Sequence, residues 1–557
     1  MTDLDRAMMP DYVKNITPKG FINPPSSKVR NVAEWEEMDA IVLSWQSYPD
    51  HLTEIVRAAV EECQVYILTQ NSSSVNSTLI NAGVDVTNVH YINTPTNSVW
   101  IRDFGPNNIY TNDVDSLLFV DWIYNRPSRP DDDASPAAVA STMNIPLYET
   151  TQAPTDLVNT GGNFFSDGFG TAFATELILE ENQSGNPYGV TAKTEADIDT
   201  IMKHFMGIDR FIKFTVLPYD GIHHIDMHMK MLDEETLLVG EYPTGVADGP
   251  QIEANLQYLQ NNFMSVFGTP YRIIRIPNPP SPSGLYPDNG GYYRTYTNSL
   301  IINKTIIVPT YYEEYDTTAL RIYREAMPGY KIVGIDCDDN YGPIAASGAI
   351  HCITHEIAAQ NPVLISHKRL EDTNNIWTPY QVDAKILNKS GIAGATVYYT
   401  TDTLQPFQAA SMTFTDPITN TWTGYIPAQP SGTRVYYYIE ATSNNGKTMV
   451  RPMPAPNGWW SFKVENPTDV EQYDDNIIKI TSYYNQSGNE ICVFTQDDIN
   501  CNISLYDILG KKINTIYQGT ILKGKNTFPV KNNVNAGCYN LVLSSGDIRI
   551  TKHIFLQ

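Results

Sequence analysis

The run LIINKTIIVPTYYEEYDTTALRIYREAMPGYKIVGI (300–335) changes its hydrophobic period twice. LIINKTIIV (300–308) reads as a strand pair turning at Asn303-Lys304. TTALRIYREA (317–326) carries helical spacing and is stopped by Pro328 and Gly329, and KIVGI (331–335) returns as a strand. The same alternation recurs upstream. LTEIVRAAVEE (52–62) is expected as a helix before the strand QVYIL (64–68). TEADIDTIMKHFMG (194–207) precedes FIKFTVL (211–217), and EANLQYLQNNFMSVF (253–267) precedes YRIIRI (271–276). About five strand–helix–strand units fit the first 370 residues, which suits an α/β architecture, open-sheet or circular.

The pattern changes near residue 375. From Ile376 to Glu465 short β runs (VDAKIL, ATVYYT, RVYYYIEA, WWSFKV) alternate with Pro, Gly and Asn turns, and no helical period survives. That is the pattern of an immunoglobulin-like sandwich, without the Cys…Trp…Cys signature of true immunoglobulin domains. The polar stretch ENPTDVEQYDD reads as a linker, and residues 477–557 are again short strands.

The whole chain has 557 residues and a formal charge of −25, with 42% hydrophobic and 18% charged residues. The apolar content excludes a disordered chain. The acidity argues against nucleic acid as a partner, which requires a basic face, and favours cationic small molecules or peptides. No apolar run is long enough to predict a transmembrane helix. The first twenty residues lack the apolar core of a signal peptide. The six cysteines form no CxxC pair, so neither a disulfide framework nor a zinc-finger spacing is expected, although Cys492 and Cys501 could face each other across a hairpin.

Five of the ten histidines fall in HHIDMH (223–228) and GAIHCITHE (348–356). Read as a strand, the first window places His224, Asp226 and His228 on one face. Three readings compete. These groups are satisfied core polar residues; or His224, Asp226 and His228, or His351 and His355, ligate a metal, although no HExxH is present; or Cys352 is a nucleophile. In the last reading His351, on the opposite face of an extended segment, cannot serve Cys352, and His224 is the natural partner. Asp226 and Asp103 would then flank the thiolate and suit a cationic substrate. WIRDFGP (100–106) offers the flat face of Trp100 and the acceptor Asp103. TGGNFFSDGFG (160–170) offers the Gly161-Gly162 backbone beside Asn163.

Taken together, WIRDFGP, DWIYNRP, TGGNFFSDG, HHIDMHMK, YTNSLIINK, REAMPGYKIVGID and GAIHCITHE resemble the Porphyromonas-type bacterial peptidylarginine deiminases, which belong with the agmatine deiminases in the guanidino-group-modifying superfamily. The resemblance implies a five-bladed α/β propeller over 30–370, after an extension at 1–29. An immunoglobulin-like domain (375–466) and a small C-terminal β-sandwich (475–557) follow. By motif it implies Cys352 as nucleophile, His224 as general acid/base, Asp103 and Asp226 as the guanidinium clamp, and Asn298 as a pocket residue. Trp100 would pack along the substrate's aliphatic stem, and Asn163 would join the substrate contacts. Arg126 and the displaced Arg129 of NRPSR would grip a terminal carboxylate. The implied substrates are free arginine or arginine-containing peptides and proteins, with agmatine the alternative. The chemistry requires no metal or organic cofactor, and a structural cation stays open. SLYDILGKKI and GCYNLVL…GDIRITKHI resemble the sorting domain of type IX secretion cargo, which implies export to the cell surface or medium through that secretion machinery. The chain is accordingly read as mature or truncated. A non-catalytic surface adhesin and a metallohydrolase are the readings from other classes.

Overall fold

The computed structural model describes residues 2–338, 342–465 and, beyond 477, all but 486–487, 496, 508–509, 531–533, 535–536, 547 and 557. The expected linker ENPTDVEQYDD lies, from residue 466 on, outside the described residues. The chain divides into two compact units, one of residues 1–371, 379–427 and 434–462, the other of 372–378, 428–433 and 463–557.

The α/β part of the first unit holds five separate small sheets. Four share one order of events: an antiparallel strand pair, a helix, then a strand parallel to the second of the pair. The first joins Asn107–Thr111, Leu117–Asp121 and Leu147–Glu149, with Val29–Asn31 on its edge. The second joins Phe165–Ser166, Thr171–Thr175 and Arg210–Phe214. The third joins Met229–Met231, Thr236–Glu241 and Arg272–Pro277. The fourth joins Leu300–Ile302, Thr305–Thr310 and Lys331–Asp336, its hairpin turning through left-handed Asn303. The fifth is assembled from both ends of this region. His355–Ala358 pairs antiparallel with Met38–Ser44, beside which Gln64–Leu68 and Val89–Ile92 run parallel.

Local chemistry sets the element ends. Helix Glu195–Met206 opens on a capping box between Thr194 and Asp197 and closes at left-handed Gly207. Helices Pro49–Ala59 and Gly249–Asn262 each begin with a proline in the first turn, a turn or so before the first apolar repeat that the sequence displays. The second of these stops at Phe263, which is extended, so MSVF falls outside the helix predicted to run through it. The parallel strands read as continuous apolar runs because both faces are covered: Leu237, Leu238, Val239, Ile306, Ile307 and Val308 have no exposed surface.

The strand Leu364–Ser366 pairs with Tyr380–Leu387, so the hydrogen bonding of the following β module begins before residue 370. Seven strands form one hydrogen-bonded path, and Trp460–Lys463 pairs off it with Arg434–Ser443. Gln408–Asp416 pairs through residues 408–412 with Ile392–Thr400 and through residues 413–416 with Thr421–Ile426. A strand that changes partner halfway links the two layers that a sandwich would keep apart.

In the second unit, Ile478–Asn485, Gly488–Thr495 and Gly524–Pro529 form one sheet. Lys512–Ile521, Ile499–Tyr506, Gly537–Ser545 and Ile548–Leu556 form another. Cys492 and Cys501 do not pair across a hairpin: the two cysteines lie in different sheets and both are free. Ile491 and Val493 face the apolar core that also holds Cys501, so alternation turns Cys492 to the other face of its strand. Among the described residues no helix is long and apolar enough to cross a membrane.

Candidate active site

The turn that enters each of the five sheets supplies part of one constellation. Asp103 lies in the short helix Ile101–Phe104 ahead of the first sheet, and Thr160 to Asn163 precede the second. His224 and Asp226 precede the third, Asn298 the fourth and Cys352 the fifth. The turns around Asp103, Gly161, Asp226 and Cys352 touch one another in a chain.

HCI (351–353) is a single 3₁₀ turn, not the extended segment expected from its neighbours, and Thr354 Oγ1 closes it by donating to Ile350 O at 2.8 Å. Asn298 holds the turn. Its Oδ1 accepts from Ala349 N at 3.1 Å and Cys352 N at 3.3 Å, and its Nδ2 reaches Cys352 Sγ at 3.2 Å. Cys352 is buried, with Asp226 Oδ2 3.8 Å from its sulfur. Burial, then the charges of Asp226 and Asp103, push its thiol well above the ordinary range.

HHIDMH is likewise not a strand. Residues 225–227 form a 3₁₀ turn after left-handed His223. Alternation therefore fails, and His228 does not share a face with His224 and Asp226. Its two ring nitrogens are buried without a hydrogen-bond partner among the described residues, and burial lowers its pKa to about 4. His224 Nε2 meets Thr160 Oγ1 at 3.0 Å, while Nδ1 faces Asp103 Oδ1 at 3.5 Å. Burial lowers the His224 pKa against the pull of Asp103 and Asp226. Asp103 is raised by burial, with His224, Arg126 and Arg129 opposing. Asp103 Oδ1, Asp226 Oδ1 and His224 Nδ1 are all buried with no hydrogen-bond partner among the described residues. Buried polar atoms are rarely left so, and two carboxylate oxygens beside a ring nitrogen are the complement of a donor-rich cation.

Gly162 makes this approach feasible. A Cβ there would stand 2.5 Å from His224 Nδ1 and 2.9 Å from Asp103 Oδ1. Trp100 covers the Cys352 turn: a Cβ on Gly348 would meet the indole at 2.3 Å and Cys352 Cβ at 3.1 Å. Tyr48 packs edge-on against that indole, with ring centroids 6.3 Å apart. Arg126 donates to Asn125 Oδ1 at 2.6 Å, and Arg129 to Tyr124 OH at 3.2 Å. Asn163 stands apart from this set. Its Oδ1 accepts from Thr175 N at 2.9 Å, and Thr175 Oγ1 donates its one proton to His223 O at 2.6 Å. The amide expected to touch substrate therefore fixes the second sheet to the His224 turn.

Behind the constellation lies a buried ionic chain that sequence reasoning missed. His351 Nδ1 meets Asp226 Oδ2 at 2.7 Å, and His351 Nε2 meets Glu34 Oε2 at 2.9 Å. Glu34 Oε1 accepts from Lys230 Nζ at 2.7 Å and Ile301 N at 2.6 Å. Against the effect of burial, Lys230 and His351 hold the Glu34 carboxyl below its usual range. Arg102 makes no pair with its neighbour Asp103. Its guanidinium forks onto Glu356 at 3.1 and 2.5 Å, since consecutive helical residues point apart. The available signal was Lys230, a lysine inside an otherwise apolar strand pattern, which demands a buried counter-charge.

Residues 30–358 match the family model of Porphyromonas-type peptidyl-arginine deiminase. A Legionella pneumophila (strain Philadelphia 1) protein bearing the name agmatine deiminase is 27% identical over 301 residues, covering 51% of this chain and 77% of that protein. A Selenomonas ruminantium protein of the same name is 24% identical over 396 residues, 62% of this chain and 99% of its own length. Among solved structures, a Porphyromonas gingivalis protein carrying the name arginine deiminase superposes with TM-score 0.51 at 22% identity, over 60% of this chain and 99% of its own. The agmatine deiminase of Enterococcus faecalis superposes with TM-score 0.50 at 20% identity, over 61% and 100%. At these identities the superpositions establish the fold of the α/β part.

Proposed function

The chain belongs to the Porphyromonas-type peptidyl-arginine deiminase family, within the guanidino-modifying hydrolases of C–N bonds, and from that premise we propose that it deiminates arginine bearing a free α-carboxylate, as the free amino acid or at a peptide C-terminus. The five sheets are then the five blades of a propeller, and the site is the axis on which their entering turns meet.

The resting pair is thiol Cys352 and neutral His224, since burial disfavours both ions. A guanidinium between Asp103 and Asp226 cancels the charges that oppose the thiolate, and the proton moves from Cys352 to His224. The thiolate forms a bond to the guanidinium carbon, held between two carboxylates. The C–N bond then breaks, and His224 gives its proton to the departing ammonia, leaving a covalent thiouronium. His224 next takes a proton from water, whose oxygen attacks the same carbon. The C–S bond breaks, the hydroxyl proton passes to the leaving sulfur as the ureido carbonyl forms, and His224 releases its proton to ammonia or solvent, restoring thiol and neutral ring.

The observation that carries the choice of substrate is the pair Arg126 and Arg129. Among the described residues neither guanidinium lies within ion-pair distance of a carboxylate, yet both are near enough to Asp103 to hold its pKa down. Two guanidiniums with no carboxylate in direct contact, beside an otherwise acidic pocket, suit an anionic substituent on a cationic substrate. Agmatine has none. The test is a colorimetric ureido assay on free arginine, agmatine and peptides with internal or terminal arginine. Arg126→Ala should raise KM for peptides ending in arginine roughly 10- to 100-fold, the loss of one charge-assisted contact, and leave agmatine turnover alone. Equal loss on both substrates removes the carboxylate role, and any ureido product from Cys352→Ser removes the covalent route. For location, the C-terminal module supports export to the surface or medium, and recovery of the chain only from the cytosol of its native cell would reverse that.

A further inference from the structure

The two clamp carboxylates are not equivalent. Among the described residues Asp103 has His224 at 3.5 Å, with the charges of Arg126, Asp226 and Arg129 acting on it from further out. Asp226 is gripped from behind, Oδ2 to His351 Nδ1 at 2.7 Å, while its Oδ1 stays unpartnered. His351 lies between two carboxylates, with Glu34 Oε2 2.9 Å from its other nitrogen. An imidazole can satisfy acceptors at both nitrogens only by donating from both, which requires a proton on each and a positive ring. A neutral ring would aim a lone pair at one carboxylate.

The surroundings do not offset that charge. Glu34 is balanced by Lys230, at 2.7 Å, and Arg102 by Glu356. His355, also packed close to His351, is driven neutral by burial. His351 therefore offsets Asp226, and the clamp of Asp103, Asp226 and His351 carries a net single negative charge. That is the complement of one guanidinium. Without His351 two uncompensated carboxylates would stand around Cys352, each opposing the thiolate.

Resting on the deiminase reading above, we propose that His351 is a positioning residue of the reaction: the Glu34-anchored, doubly protonated ring holds Asp226 with one oxygen turned to the substrate, and its charge lets the Cys352 thiolate form between two carboxylates. It touches neither substrate nor sulfur in this role. His351 is thus the neighbour of the nucleophile in sequence but serves the clamp.

Three measurements on the full chain test this. Histidine-selective nitrogen NMR, with His351 assigned by its loss in His351→Gln, should show both ring nitrogens protonated at neutral pH. The midpoint of Cys352 alkylation by iodoacetamide, read at that peptide by mass spectrometry, should rise by about one to two pH units in His351→Gln, the loss of one charge at this range. Glu34→Gln keeps the packing but lets the ring go neutral, and it should move the midpoint the same way. In steady state His351→Gln should lower kcat about tenfold or more at neutral pH, with KM within a few-fold, since the cation site itself gains no positive charge. A lone pair on either nitrogen of His351, or an unmoved midpoint in a folded Glu34→Gln, overturns the proposal. If the wild-type chain releases no ammonia from any guanidine, the deiminase reading fails instead. The nitrogen shifts and the alkylation midpoints then still decide the state of His351.

Discussion

At the scale of single residues, the ring we propose as general acid/base, His224, is held by one hydroxyl. Thr160 Oγ1 holds His224 Nε2 at 3.0 Å, so the ring presents Nδ1, which is also the nitrogen facing Asp103. Thr160→Val keeps the volume and removes the hydroxyl, leaving a buried ring nitrogen unpaired and the ring free to turn. We expect kcat to fall about 10- to 100-fold with KM nearly unchanged, a loss confined to the reacting complex. An unaltered kcat would show that Gly162 and Asp103 alone fix the ring. The part of the site legible in the sequence was the set of chemically unusual residues: Cys352 beside a histidine, Asp103 ahead of a Gly-Pro turn, and the HID triplet. Thr160 and Glu34 were illegible, because a threonine before a Gly-Gly turn and a glutamate in an acidic chain are unremarkable until folding brings them to His224 and His351.

At the scale of the element, the turn 220–227 is the point where local pattern misled. Period-two reading assumes extended backbone, and a left-handed His223 followed by a 3₁₀ turn breaks that period. The cause lies beside the motif. Asp220 folds back to accept from Ile222 N at 3.1 Å, and Thr175 holds His223 O. Asp220 is itself buried, and burial raises its pKa to about 7. The sign follows from linkage. Its folded pKa lies above the ordinary aspartate value, so its stability is fully present below about pH 4 and is lost as pH rises through about 7. Asp220→Asn keeps an acceptor for the turn without the buried charge. Urea denaturation should therefore find this variant more stable than wild type by about 2–4 kcal/mol near pH 8 and equal to it at acid pH. A variant less stable at pH 8 would mean that the anion itself is needed by the backbone amides. By contrast, the hairpin at Asn303 and the helix capped by Thr194 and Gly207 were readable, because there the chain-breaking residue sits where the period changes.

At the scale of the molecule, the alternation of strands and helices was plain from sequence but its closure was not. The fifth sheet joins residue 355 onward to residue 38 onward, a pairing that no local window contains. The same limit hid the tie between the α/β part and the β module behind it. Arg451 lies over Trp35, 4.3 Å from the ring centroid, and donates to Trp35 O at 2.8 Å. It also approaches buried Glu234 at 3.9 Å, and Lys447 reaches Glu37 at 2.7 Å. Trp35 follows Glu34, which meets His351 and through it Asp226, so the module bears on the strap behind Asp226. Arg451→Ala should cost about 3 kcal/mol, because it strips a cation–π contact and leaves Glu234 buried without a counter-charge. Burial already raises Glu234 to about 7 against Arg451, so losing the arginine raises it further. In wild type and variant alike the carboxyl stays neutral below about 7, so the deficit in melting temperature should widen only as pH climbs past about 7. Arg451→Lys restores the charge but not the flat face or the forked donors, and should recover only part of the loss. If the module serves as a brace, kcat falls in Arg451→Ala even well below the melting temperature, with the alkylation midpoint of Cys352 rising as it does in Glu34→Gln. A destabilised variant with an unmoved midpoint would confine the contact between module and strap to stability alone.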